Sequence, residues 1–129
     1  MMNILLLEPD KVLAETYKSA LELRSDSIVS VVRSAQHAIT AADAITPDLV
    51  IVELQLIEHS GIEFLYEFRS YIEWQSIPII VHSIVPFSEF TDNWNILNDE
   101  LGVQKYLYKP HTTLRMLIQA VSPYSLISA

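Results

Sequence analysis

Five short apolar runs, which begin roughly every 21–28 residues, constrain the fold of this 129-residue chain more than any other feature. The first four runs are almost continuously hydrophobic and do not alternate between apolar and polar residues. Such runs are typical of strands that a parallel sheet buries on both faces. They therefore predict five strands, at residues 3–7, 28–32, 49–54, 77–82 and 105–108.

Apolar residues with helical spacing follow each of the five runs, and they predict five helices. Asp10, Ser34 and Ser60 stand where helix N-caps are expected, and Gly102 stands just beyond the fourth helix. The apolar stripes are Val12, Leu13, Tyr17, Ala20 and Leu21; Ala35, Ala38, Ile39 and Ala42; Phe64, Leu65, Phe68 and Ile72; Phe87, Phe90, Trp94, Leu97 and Leu101; and Leu114, Leu117, Ile118 and Val121.

The alternation of strand and helix predicts a single α/β domain with a doubly wound parallel sheet and right-handed crossovers. We expect this domain to span residues 3–121. Residues 122–129 contain Pro123, and we expect them to form a frayed C-terminal tail.

The composition excludes several kinds of site and partner. The chain has no cysteine, which rules out disulfides, thiolate metal sites and cysteine nucleophiles. Two glycines, Gly61 and Gly102, are too few for a glycine-rich phosphate-binding loop. Sixteen acidic and eight basic residues give a net charge of −8, which disfavours nucleic acids and anionic membranes as partners. Neither a signal peptide nor a membrane span is recognisable, so we expect a cytoplasmic protein.

Polar residues follow four of the predicted strands and point to a site. Glu8, Glu53, Ser83 and Lys109 lie at the carboxyl ends of these runs. In open α/β sheets such strand ends meet at one edge, where ligands bind. Glu53 is the most informative residue, because it interrupts an apolar run and a buried carboxylate is costly unless it is paired. The sequence therefore predicts a polar pocket at this edge.

Three motifs give the sequence a specific resemblance. They are PDLVIVE over residues 47–53 with Gly61 eight residues later, PIIVHS over residues 78–83, and YLYKP over residues 106–110. With these motifs the chain resembles a receiver domain of the bacterial response-regulator family, of the chemotaxis-type single-domain kind. The resemblance implies a flavodoxin-like fold, with a five-stranded parallel sheet in the order 2-1-3-4-5 and five helices. It also implies a role in two-component or phosphorelay signalling.

In that family a sensor kinase supplies a phosphoryl group to an aspartate, with the help of Mg²⁺, and the present pocket departs from this pattern. Glu8 matches the first acid of the pair after strand 1, whereas Pro9 replaces the metal-binding aspartate. Glu53 stands at the acceptor position. Ser83 and Lys109, which would grip the phosphoryl oxygens, are intact, and Tyr106 matches the switch aromatic.

The two substitutions predict a pocket that no longer accepts a phosphoryl group in the ordinary way of the family. Glutamate is about 1.5 Å longer than aspartate, and a misplacement of about 1 Å can cost on the order of 100-fold in rate. Proline offers no side-chain ligand. Asp10 belongs to the predicted pocket, and two roles are open for it: substitution for the missing ligand, or capping of the first helix, which we favour. We therefore expect no resident metal, or at most weak Mg²⁺ on Glu8 and Glu53. A direct ion pair between Glu53 and Lys109 would make the pocket a fixed electrostatic latch, and the sequence leaves open whether the latch holds the domain on or off.

The expected function is phosphorylation-independent protein–protein interaction rather than enzymatic catalysis. The resemblance implies a partner surface formed by the fourth helix, fifth strand and fifth helix, for a signalling partner, a sensor kinase or a second copy of the chain. Two alternatives remain: a working Mg²⁺-dependent phosphoacceptor of unusual geometry, and a small-molecule-sensing pseudo-receiver. His82 is expected to be a buried, hydrogen-bonded core residue. The candidate interface residues are Phe87, Phe90, Trp94 and Tyr108.

Overall fold

The computed structural model describes the backbone of residues 1–128 and the side chains of residues 1–125. It contains one five-stranded sheet in the order β2-β1-β3-β4-β5, and every neighbouring pair is parallel. This confirms the predicted sheet, with boundaries that differ by at most two residues. The strands are β1 (Met2–Leu7), β2 (Ser27–Val32), β3 (Leu49–Val52), β4 (Ile79–Ser83) and β5 (Val103–Tyr108).

In the described part of the chain four regular helices flank the sheet, and side chains cap three of them as predicted. The Asp10 carboxylate accepts from the Leu13 amide, and the Ser34 and Ser60 hydroxyls each accept from the amide three residues later. Each cap pairs an amide that the helix itself leaves without a partner. The helices are α1 (Lys11–Arg24), α2 (Ala35–Ala44), α3 (Gly61–Ser70) and α4 (Leu114–Ser128).

The predicted fourth helix is present but is not a regular α-helix. Residues 87–100, called the irregular segment below, wind as a 3₁₀-helix over Phe87–Asn93 and as a π-helix over Ile96–Glu100. In a 3₁₀-helix residues three apart eclipse each other, which places the rings of Phe87 and Phe90 together against Tyr106. The segment ends at Gly102, whose φ of +72° is the left-handed conformation that glycine favours.

The last helix differs from the predicted tail. It continues through Pro123 to Ser128, so the predicted boundary after residue 121 falls inside it. Proline has no N–H to donate to the carbonyl four residues earlier. The Gln119 carbonyl accepts instead from the Ser122 hydroxyl at 3.1 Å, which helps the helix to tolerate the proline.

Two apolar layers cover the sheet. The residues of one layer lie beneath α2, α3 and the irregular segment, and those of the other lie beneath α1 and α4. Four residues that were predicted to be apolar stripe positions are exposed instead, among them Phe87 in the irregular segment. Val12 and Leu114 lie in the first turns of their helices, and Ile72 follows the end of α3.

The register of the parallel strands brings the predicted site residues to one edge. Leu7 pairs with Val52 and Val52 with Val81, so Glu8, Glu53 and Ser83 leave the sheet at nearly the same level. Among the residues that the structure describes, no helix is both long and apolar enough to span a membrane.

Candidate functional site

The carboxylate of Glu53 occupies the centre of the pocket at the carboxyl edge of the sheet. Its side chain is 3% exposed, and each of its two oxygens accepts two hydrogen bonds. Oε1 accepts from the Lys109 ammonium at 2.7 Å and from the Ile84 amide at 3.1 Å. Oε2 accepts from the Ser83 hydroxyl and from the Gln55 amide, the latter at 3.0 Å. The carboxylate is therefore fully surrounded by donors.

Lys109 joins the two buried acids of the pocket. Its Nζ lies 2.5 Å from Glu8 Oε1 and 2.7 Å from Glu53 Oε1. Burial by itself lowers the pKa of Lys109, but the hydrogen bonds to Glu53 and Glu8 outweigh it and raise that pKa above its usual range. Burial likewise favours the neutral form of Glu53, but the bonds from Lys109, Ser83 and Gln55 prevail and lower the pKa of Glu53. The three side chains thus form a buried array of two negative charges and one positive charge.

The residues that follow β1 are turned away from the pocket centre or are already engaged. The second oxygen of Glu8 accepts from the Asp10 amide at 3.1 Å. The Asp10 carboxylate is exposed and caps α1, so of its two predicted roles the structure shows the cap, and the carboxylate does not join the pocket. Pro9 contributes only its carbonyl, which accepts from Arg33 Nε at 3.0 Å.

The glycine of the first motif shapes the loop after Glu53. The Gly61 amide donates to the Leu54 carbonyl at 2.8 Å, at the point where α3 begins. A Cβ on Gly61 would lie 2.5 Å from the Leu54 Cα, so a larger residue would push the loop away from the sheet. This close approach fixes the segment that supplies the Gln55 amide to the carboxylate.

A chain of hydrogen bonds leads from the pocket to the aromatic residues. Ser83 donates to Glu53 and accepts from the Val85 amide at 3.0 Å. The Val85 carbonyl then accepts from the Tyr106 hydroxyl at 2.6 Å. Burial raises the pKa of Tyr106, which therefore remains a neutral donor. The predicted switch aromatic is thus held half-buried through three bonds from Glu53.

Three of the four candidate interface residues, Phe87, Phe90 and Trp94, lie around this aromatic site. Phe87 is exposed at its edge, whereas Phe90 and Trp94 are half-buried and pack on the core. The ring of Phe87 meets Tyr106 at 5.2 Å and Trp94 at 5.4 Å between centroids, both edge to face. Tyr108 lies apart from them and contacts the ring of His111 at 5.0 Å.

His82 is buried as predicted, but one of its two ring nitrogens lacks the expected hydrogen bond. Its side chain is 3% exposed, and its Nδ1 has no hydrogen-bond partner in the part of the chain that the structure describes. The imidazole packs edge to face on Tyr17, with 4.8 Å between ring centroids. Burial and the nearby Lys109 ammonium lower the pKa of His82 to about 4. These surroundings favour the neutral imidazole, because a protonated one would add a second positive charge beside Lys109.

The backbone donors of the pocket could not be predicted from the sequence. The Gln55 and Ile84 amides contribute half of the hydrogen bonds to Glu53. Any non-proline residue at these positions would supply the same N–H group, so no residue type could have signalled them.

Comparison with known proteins agrees with this fold. The family described as "Response regulator receiver domain" matches residues 4–122. This chain is a receiver domain. The KDP operon transcriptional regulatory protein KdpE of Escherichia coli (strain K12) is 32% identical over 111 residues, which are 85% of this chain and 45% of that protein. The receiver domain thus spans about half the length of the curated relatives that it matches.

Solved structures show the same fold at lower sequence identity. A sensor protein from Polaromonas sp. JS666 superposes with a TM-score of 0.84 at 23% identity, over 99% of this chain and 98% of that one. The receiver domain of Francisella response regulator 1452 has a TM-score of 0.81 at 21% identity, over the full length of both chains. Receiver domains are signalling modules that interact with sensor kinases or other signalling partners, and this chain is the receiver domain of a two-component response regulator.

Proposed function

We propose that this receiver domain is a fixed signalling module, which binds partner proteins without accepting a phosphoryl group on Glu53. The observation that carries the proposal is the carboxylate of Glu53, which is buried and accepts two hydrogen bonds on each oxygen. An acceptor carboxylate must present a free oxygen to the incoming phosphorus atom. Attack from Glu53 would require the pocket to give up at least one of these bonds first.

The donors around Glu53 support the interpretation as a latch. Ser83 and Lys109 are the residues that the family uses to hold a phosphoryl group, and here both hold the longer carboxylate. The carboxylate carries one negative charge, whereas a phosphoryl group carries about 1.5 to 2. We infer that Glu53 supplies part of the charge of a phosphorylated acceptor permanently.

The donor set of the pocket does not suit Mg²⁺. This ion takes oxygen ligands in near-octahedral geometry, but the four carboxylate oxygens of Glu8 and Glu53 all accept from N–H or O–H groups. Pro9 has no side-chain oxygen to offer. Among the described residues, no group of three or more His, Asp or Glu side chains is placed to hold a metal ion. These contacts support our expectation of weak Mg²⁺ binding at most.

The proposed partner surface follows from the chain of hydrogen bonds that connects Glu53 to Tyr106. Because Ser83 and Val85 connect the two residues, the latch holds Tyr106 against Phe87 and Phe90. We propose that the irregular segment, β5 and α4 present this fixed aromatic surface to a signalling partner, a sensor kinase or a second copy of the chain. Aromatic residues are enriched at the centres of such interfaces.

Nuclear magnetic resonance with beryllofluoride, an anion that imitates a phosphoryl group, tests the proposal. We expect the amide resonances of Gln55 and Ile84 to remain unchanged when Mg²⁺ and beryllofluoride are added. The double variant Pro9→Asp/Glu53→Asp serves as the positive control, and its pocket resonances should shift. Saturable shifts at these amides in the unmodified protein would contradict the proposal.

One feature favours a second candidate function, the sensing of a small molecule. A cavity of about 850 Å³ lies beside the pocket, between α1, the start of α2 and the loop after β3, and Lys11, Arg33, His37 and His59 are among its lining residues. Its volume is within the usual range of ligand sites. Native mass spectrometry of the purified protein tests this function, since a retained ligand would add a defined mass that denaturation removes.

A further inference from the structure

The two edge strands of the sheet are protected in different ways. Edge strands present unpaired backbone groups to other chains, and natural proteins block them with charged residues, proline or bulges. β5 carries Lys105, and its register with β4 shifts between Ile79 and Ile80. The carbonyl of Val103 also accepts from Asn98 Nδ2 at 2.8 Å.

β2 has none of these features within its own sequence. Its six residues, SIVSVV, include neither a charged residue nor a proline, and they pair with β1 in continuous register. Half of them are β-branched valines, which favour strands. Ile28, at 50% exposure, adds an apolar side chain near this edge. By composition β2 is therefore suited to pair with a further strand.

Lys18 and Glu22 of α1 close this edge at its middle. The Val29 amide donates to Glu22 Oε2 at 2.8 Å, and the Val29 carbonyl accepts from Lys18 Nζ at 2.7 Å. The two side chains also bind each other at 2.8 Å, one helical turn apart. Both backbone groups of Val29 are thus bonded to α1 rather than to another strand.

The backbone alternation shows that Val29 belongs to the free side of β2. The carbonyls of Asp26 and Val32 accept from β1 and the residue after it, so the even-numbered residues face inward. Successive residues of a strand turn their backbone groups to opposite sides, so Ser27, Val29 and Val31 face outward. Lys18 and Glu22 therefore bind the backbone of Val29, the middle one of these three outward-facing residues.

We propose that Lys18 and Glu22 form a clasp that closes the β2 edge against strand addition by a second copy of this chain. A second copy suits the edge because two β2 strands can pair antiparallel about Val29, in the two-fold arrangement that is most common in oligomers. The uncharged strand places no like charges opposite each other in that pairing. Strand pairing requires the Val29 amide and carbonyl, and the clasp occupies both.

The test opens the clasp and measures self-association of the full chain. The double variant Lys18→Met/Glu22→Ala removes both contacts and keeps the net charge unchanged. Lys11→Met/Glu15→Ala is the matched control, because these exposed residues have the same spacing on the same helix. Sedimentation velocity over micromolar to millimolar concentrations should show a doubling of mass for the opened variant only, relative to the unmodified protein.

A blocking substitution identifies the surface that associates. Ser30 is exposed, and Ser30→Lys places a charged side chain on β2. In the opened variant it should restore the mass of the unmodified protein, whereas Ser19→Lys on α1 should not. An unchanged mass after the clasp is opened, or association that persists with Ser30→Lys, would overturn the proposal.

A single variant keeps the test decisive if the double variant does not fold. Lys18→Met leaves the Val29 amide bonded to Glu22 and frees only the carbonyl. We expect weaker association than in the double variant, which Ser30→Lys again abolishes. A mass equal to that of the unmodified protein at every concentration would refute the clasp.

Discussion

Replacing Glu53 with glutamine preserves the shape of the side chain and removes its charge, so it isolates what the latch contributes to stability. A glutamine carbonyl can still accept from Lys109 and Ile84, and the Ser83 hydroxyl can rotate to accept from the new amide. The Gln55 amide loses its acceptor, because two N–H donors would then face each other. The bond from Lys109 also weakens from an ion pair to a charge–dipole contact.

The free energy of unfolding should fall by about 2–3 kcal/mol in Glu53→Gln. An unpaired buried donor costs about 1–3 kcal/mol, and hydrogen bonds to charged groups are stronger than those to neutral groups. Glu8 remains beside Lys109, so the ammonium is not left without a counter-charge and the larger penalty of an unpaired buried ion does not apply. For a chain of this size the change corresponds to a decrease in Tm of roughly 6–12 °C.

Urea unfolding followed by circular dichroism measures this loss, with the exposed Glu67→Gln as the matched control. The pKa of Glu53 is lowered in the folded state, so its contribution is present at neutral pH and is lost as pH falls through the folded pKa. The difference between the two proteins should therefore shrink in acid. Equal stability at neutral pH, or a difference that does not depend on pH, would refute the latch.

Three further predictions concern the pocket, the guanidinium of Arg69, and His82. Pro9→Asp and Glu53→Asp should each fail to restore phosphorylation by acetyl phosphate on a phosphate-affinity gel, whereas the double variant should succeed; recovery with Glu53→Asp alone would show that Pro9 is not the obstacle. Arg69→Met should lower the free energy of unfolding by about 3 kcal/mol in urea titrations, because the guanidinium donates to four backbone carbonyls; Arg69→Lys should not rescue it, since one ammonium cannot reach all four. His82 is held neutral with a pKa of about 4, below its unfolded value of 6.5, so stability should fall as pH drops below the unfolded value. His82 should account for a decrease of about 2 kcal/mol in the free energy of unfolding between pH 7 and pH 5. A His82→Phe variant with the same pH dependence as the unmodified protein would contradict this.

The fold was predictable because its strands are buried and its helices are capped by side chains. Runs such as residues 49–54 carry little but apolar residues, and Ser34 and Ser60 mark where helices begin. The irregular segment was predicted only in outline. Its apolar spacing fits an ordinary helix, and nothing in that spacing signals that Phe87 and Phe90 pack together against Tyr106 of β5.

The side chains of the candidate site were predictable from the sequence. The full set of hydrogen bonds that the Glu53 carboxylate accepts was not. The ends of parallel strands meet at one edge, so Glu53 and Lys109 were expected to pair, and the structure places them 2.7 Å apart. The sharing of Lys109 with Glu8, and the amides that complete the shell around Glu53, depend on backbone positions that no residue type reveals. The lack of a partner for His82 Nδ1 could not be predicted for the same reason. The sequence indicates that His82 is buried, but it does not show which groups surround one ring nitrogen.

The mass of the intact protein after incubation with acetyl phosphate and Mg²⁺ tests most directly whether Glu53 is an occupied latch rather than an acceptor. Because every oxygen of its carboxylate is engaged by donors, we expect the mass to remain that of the unmodified chain. An added phosphoryl group that disappears in the Glu53→Gln variant would contradict the account.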